Sequence, residues 1–140
     1  MKLLIVNGPN LNLIGQREEE IYGNQTFESY FAALKSEKKS ELDYFQSNIE
    51  GELIDALQQS NHDGIIINAG GYTHTSVAIR DCIKGIKVPV VEVHISNITA
   101  REDFRHTSLL SPVVIGCIFG FGLKSYDLAV DFFENHLNNR

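Results

Sequence analysis

Cysteine, basic charge, long apolar runs and glycine-rich phosphate loops are all scarce in this chain, and each scarcity removes a class of function. Only 2 cysteines occur in 140 residues. Cys82 and Cys117 lie inside apolar periodic segments and not in a C-x-x-C pair, which speaks against a disulfide framework or a zinc site and for two core thiols. Lys and Arg total 12 against 18 Asp and Glu, and a net charge of −6 leaves no basic stripe that could hold a phosphate backbone. Nucleic acid is therefore not an expected partner. The apolar stretch Leu3 to Val6 is too short for a signal peptide core or a membrane span, so the chain reads as cytoplasmic with no membrane partner. Neither G-x-x-x-x-G-K-[ST] nor G-x-G-x-x-G follows the first apolar run, and that run ends in Asn7 without an acidic cluster. NAD, ATP and a magnesium-dependent phosphoacceptor are thereby disfavoured.

What is present is alternation. Short apolar runs rich in branched residues at 2–7, 42–46, 64–68, 88–95 and 113–119 read as strands. Between them come helical stripes: Phe27, Tyr30, Phe31 and Leu34; then Ile49, Leu53, Ile54 and Leu57; then Ile79, Cys82, Ile83 and Ile86. Tyr126, Ala129, Val130, Phe133 and Leu137 form the last stripe. Nearly all-apolar strands alternating with helices predict a parallel sheet covered on both faces, a flavodoxin-like doubly wound α/β fold with five strands in a single domain, 1–140. Ligands in such folds bind beyond the carboxyl ends of the strands. From 8 to 25 no period is sustained, and Gly15 and Gly23 bracket Arg17 and Tyr22, so a lid over about 13–25 is expected.

Chemistry concentrates from Glu92 to Arg105. Alternation along a strand puts Val91, Val93 and Ile95 on one face and Glu92, His94 and Ser96 on the other. A glutamate two residues from a histidine can meet it, favour the imidazolium and orient the ring as a general acid requires. Thr99-x-x-Glu102 reads as a capping box opening a short helix, with Arg101 and Arg105 on one face as an anion site or as exposed charges paired with Glu102 and Asp103. Asn68-Ala-Gly-Gly-Tyr-Thr-His74 offers an amide, a tight turn and an imidazole at a strand end, suited to a polyhydroxylated ligand. Tyr22 near Arg17 is either a phenol made acidic by a guanidinium or part of a solvated loop, since Glu18, Glu19 and Glu20 lie between them. Asp81 beside Arg80 reads as a surface ion pair unless another subunit covers it. No role is assigned to His62, His106 or His136.

Taken together, Val6-Asn-Gly-Pro-Asn10-Leu-Asn-Leu-Ile-Gly-Gln-Arg17, Ile21-Tyr22-Gly23, Gln46 to Asp55, Ile67-Asn68 to Ser76, Glu92-Val-His94-Ile-Ser96-Asn, Arg101 to Arg105 and Gly120-Phe-Gly122 resemble the type II 3-dehydroquinate dehydratases, in the family's order. The resemblance implies cofactor-free dehydration of 3-dehydroquinate to 3-dehydroshikimate in the shikimate or quinate pathway, by a homododecamer built as a tetramer of trimers. It implies Tyr22 as general base with Arg17 lowering its pKa, His94 as general acid with Glu92 as its partner, and Asn10 holding a water at the enolate. Asn68, His74, Ile95, Ser96 and Arg105 resemble the substrate-binding set, Arg101 an organising arginine, and Asp81 the residue that reaches in from an adjacent subunit. Two positions depart from the family pattern, Glu19 where proline is usual and Ser125 where glycine is frequent. The rival expectation is a non-catalytic flavodoxin-like module binding a flavin or a small polyhydroxy acid.

Overall fold

Three strand ends and the turns that follow them decide where a ligand can sit, and all are set by a sheet of plain construction. The computed structural model describes residues 1–16 and 25–138. Strands β1 (Lys2–Asn7), β2 (Glu41–Gln46), β3 (Gly64–Asn68), β4 (Val90–His94) and β5 (Gly116–Phe119) form one sheet in the order β2-β1-β3-β4-β5, every pair parallel. The helices are α1 (Phe27–Glu37), α2 (Glu50–Gln59), α3 (Val77–Gly85) and α4 (Lys124–Asn138). Alternation sorts the two cores. Leu3, Ile5, Ile66, Val91 and Val93 pack with Phe27, Leu34, Tyr126, Val130 and Phe133 of α1 and α4. Leu4, Val6, Ile65 and Ile67 pack with Leu53, Leu57, Ile79 and Ile83 of α2 and α3. Burial on both faces explains strands that are apolar throughout, and the flavodoxin-like α/β expectation holds.

Two of the helices begin where the sequence supplies an acceptor. Thr26 caps α1 by accepting from the Ser29 N–H, and Ser76 caps α3 by accepting from Ile79, 2.9 Å. Inside the first core the Tyr30 hydroxyl donates to Asp127; burial first, then that carboxylate, push its phenol far above the ordinary value. Burial likewise raises Tyr44 to about 12.

Five sequence expectations are corrected. The segment after β4 is not an α-helix capped by Thr99. Asn97 is the capping residue, accepting from the Thr99 N–H, and the chain makes two 3-10 turns, Ile98–Ala100 and Asp103–Arg105, separated by Arg101 in extended conformation. The run at 113–119 is strand only from Gly116, because Ser111–Val113 is a 3-10 turn opened by Pro112; Val113 and Val114 are apolar because they pack against the second core. Val88 does the same ahead of β4. Cys82 is a buried thiol, but Cys117 lies on the open face of edge strand β5. His62 is no idle surface group either, since its ring bridges Ser60 Oγ at 2.8 Å and Asp43 Oδ2 at 2.7 Å.

Candidate active site

The carboxyl ends of β1, β3 and β4 open on a cavity of about 240 Å³ that brings together Asn10, Asn68, His74, His94, Ile95, Ser96, Arg101 and Arg105. The sheet order reverses at β1 and β3, so the cavity occupies the crevice such folds reserve for ligands. Its floor is two loops pressed into each other. A Cβ on Gly8 would stand 2.4 Å from the Ala69 carbonyl oxygen, and Gly70, at φ +60°, lies against the Pro9 carbonyl. Asn10 follows at φ 70°, the one non-glycine residue with positive φ among those described; asparagine tolerates that conformation better than most residues. Its N–H donates to Asn48 Oδ1 at 3.0 Å, while its side chain remains exposed at the mouth.

Glu92 and His94 meet as their spacing predicts. Glu92 is 1% exposed, and its Oε2 lies 2.5 Å from His94 Nε2. The hydroxyls of Ser108 and Ser111 donate to the same carboxylate at 2.9 and 2.7 Å. Burial alone would push this carboxyl up; the bond and charge of His94 and the two serine hydroxyls outweigh it and hold it below the usual range. An ionised Glu92 only accepts, so Nε2 keeps its hydrogen and Nδ1 is left as the nitrogen that can exchange a proton. His74 is fixed differently. Its Nδ1 donates to the Thr107 carbonyl at 2.8 Å, leaving Nε2 for a ligand, and its ring faces that of His94 with centroids 6.4 Å apart.

The two arginines supply positive charge to one wall. Arg101 Nη1 donates to Ser96 Oγ at 3.3 Å. Arg105 Nε is 3.0 Å from Glu102 Oε2, and its guanidinium stacks on the Phe104 ring with 5.0 Å to the centroid. The Arg105 hydrogen bond is the main reason the exposed Glu102 carboxyl lies below its ordinary value. One carboxylate faces two guanidinium groups, so the wall remains net positive and suits an anionic ligand.

Asp81 is exposed on α3 and away from the cavity lining. Arg80 points instead to the Leu109 carbonyl, so no Arg80–Asp81 pair forms among the described contacts. Arg17 and Tyr22, and with them the middle of the expected lid, lie outside the described residues; Leu13 and Ile14 at its start line the cavity. Sequence reasoning missed Ser108 and Ser111, which have no periodicity to mark them and reach Glu92 only because the β4–β5 connection folds back across it. It also took Tyr126 for a core residue alone, though its hydroxyl bonds Asn68 and Asn7. Among the described residues no group of three or more His, Cys, Asp or Glu gathers as a metal site, and no helix is long and apolar enough to cross a membrane.

Comparison with known proteins places the chain in a family. The family described as Dehydroquinase class II matches residues 1–134. The 3-dehydroquinate dehydratase of Prochlorococcus marinus (strain NATL1A) is 52% identical, covering 98% of each chain. That of Exiguobacterium sp. (strain ATCC BAA-1283 / AT1b) is 53% identical over 100% of this chain and 99% of its own. The crystal structure of the type II dehydroquinase from Butyrivibrio crossotus DSM 2876 superposes with a TM-score of 0.91 at 45% identity, covering 96% of this chain and 97% of that one. The type II dehydroquinase from Propionibacterium acnes superposes with the same TM-score at 37% identity, covering 96% of both. Likeness of this extent, in sequence and in backbone, makes the chain a member of the class II dehydroquinase family.

Proposed function

We propose that the chain dehydrates 3-dehydroquinate to 3-dehydroshikimate. The observation that carries the reading is the Glu92–His94 dyad opening on a cationic cavity at the switch point of this sheet. In the first step Tyr22, its phenol made acidic by Arg17 and so ionised, takes a proton as the phenolate from the carbon beside the ketone, and the C–H electrons pass into an enolate. Asn10 holds a water against the enolate oxygen, and preorganised polar groups offset its charge. In the second step the enolate collapses, the C–O bond to the departing hydroxyl breaks, and His94 delivers a proton so that water leaves. Glu92 stabilises the imidazolium before transfer and fixes the ring through Nε2. Arg105 and Ser96 hold the substrate with Asn68, His74 and Ile95, and Arg101 supports Ser96. Tyr30 and Tyr44 are no substitute bases, because neither lines the cavity and burial raises both.

The test is direct. Purified protein should generate the enone product, followed by its ultraviolet absorbance, at an undiminished rate in excess chelator. Tyr22→Phe and His94→Ala should each lose about 10²–10⁴-fold in kcat while remaining folded. A Tyr22→Phe enzyme at full speed removes the phenolate from the mechanism; a protein that binds 3-dehydroquinate and releases it unchanged removes the activity. We also assign a cytoplasmic homododecamer, a tetramer of trimers in which Asp81 completes a neighbour's site. Supporting this, Phe104 and Phe121 are each 65% exposed on the protomer, and Ile115 and Phe119 leave an apolar row along the β5 edge.

A further inference from the structure

The parallel register of β1 and β3 sets Asn7 directly beside Asn68. Both follow the alternation of Leu3, Ile5 and Ile66, so both amides point toward α4, where Tyr126 is fully buried. The Tyr126 hydroxyl donates to Asn7 Oδ1 at 2.8 Å and accepts from Asn68 Nδ2 at 3.0 Å. Asn7 Nδ2 in turn donates to the Tyr44 hydroxyl at 3.4 Å. Asn68 is 3% exposed, and what remains exposed of it lines the cavity.

An asparagine amide has a broad, roughly two-fold terminal torsion, so backbone position alone does not decide which of its edges a ligand meets. Here two contacts decide it. The Gly70 N–H can only donate, and it reaches Asn68 Oδ1 at 3.2 Å. The nitrogen edge must then face Tyr126, which accepts there and passes its own hydrogen on to Asn7. One Nδ2 hydrogen is left for the ligand.

We propose that Tyr126 is a positioning residue: through its hydroxyl it locks the Asn68 amide so that the cavity receives an N–H donor, which recognises an oxygen acceptor on the substrate. The inference rests on the assignment of Asn68 to substrate binding. Tyr126 itself touches no substrate.

The test is a double-mutant cycle on the intact assembly with 3-dehydroquinate. Tyr126→Phe is expected to raise KM about tenfold, the effect of misplacing one neutral hydrogen bond, with kcat changed by less than about twofold. In an Asn68→Ala background the same substitution should change neither constant, because the group it orients is gone. Tyr30→Phe, which removes a hydroxyl from the same aromatic cluster without touching Asn7 or Asn68, should leave KM unchanged. If Tyr126→Phe does not fold, Asn7→Leu carries the test, since it removes the acceptor that directs the Tyr126 hydrogen, and Asn7→Asp, which keeps an acceptor, should retain the original KM. Losses that multiply in the double variant, or a KM that Tyr126→Phe leaves alone, overturn the positioning role while Asn68 keeps its own. An Asn68→Ala enzyme with full kcat/KM overturns the substrate-binding assignment and the positioning role with it.

Discussion

Glu92 shows how one buried charge can be both stabilising and chemically useful. Its folded-state carboxyl titrates below the ordinary 4.5. A depressed acid contributes stability in full above the unfolded value and loses it as pH falls through the lower folded one. Glu92→Gln removes that titration. The gap in Tm between the parent protein and Glu92→Gln should therefore shrink below about pH 4.5, as the parent carboxyl takes up its proton and position 92 becomes uncharged in both proteins; thermal melts at a series of pH values read it. A gap that widens on acidification would mean burial, and not the bonds from His94, Ser111 and Ser108, governs the group. The same variant should lose about a hundredfold in kcat, because an amide no longer stabilises the imidazolium, while its KM stays close to that of the parent.

At the scale of elements, the loops after β1 and β3 carry more of the site than the sheet does. Asn10 has two duties there, a backbone at φ 70° and a side chain at the cavity mouth, and substitution can separate them. Glycine adopts that φ without strain, so Asn10→Gly should keep the parent's stability within about 1 kcal/mol yet slow turnover, whereas Asn10→Ala should lose both stability and rate. Equal activity in Asn10→Gly would leave Asn10 a purely conformational part. Gly8→Ala is the harsher change, since its Cβ meets the Ala69 backbone at 2.4 Å. It should cost about 1–3 kcal/mol in denaturant unfolding and disturb Asn68, one residue away from the displaced carbonyl. These elements also show what the sequence made legible. Period-two and helical spacing disclosed the sheet, both cores and the Glu92–His94 pair, because each depends on neighbours along one strand or helix. Thr99 misled because a short polar turn offers several hydroxyls and amides that can cap it, and Asn97 won. Ser108, Ser111 and the hydroxyl of Tyr126 were hidden because their partners lie 16, 19 and 58 or more residues away, brought close only by the crossovers.

At the scale of the whole molecule the question is why a chain with an assembled cavity should leave Asp81 outside it. Asp81 stands on the exposed face of α3, away from the lining of its own protomer's cavity. The aromatic side chains Phe104 and Phe121 are each 65% exposed, apolar surface that a neighbouring subunit would cover. In the proposed trimer, with its head-to-tail contacts, Asp81 of one subunit would serve the cavity of the next. Complementation separates this from a role within one chain. Asp81→Ala and His94→Ala, each nearly inactive as a pure assembly, should regain activity when co-expressed or refolded together. A site then works if its own chain carries His94 and its neighbour carries Asp81, so random mixing in equal amounts should restore about a quarter of the parent rate. If Asp81 served its own chain, no mixed site would hold both groups and the mixture would stay inactive. Asp81→Ala and His94→Ala chains carrying different affinity tags, purified together through both tags, show that exchange occurred, so silence in that mixed assembly would refute the shared site itself.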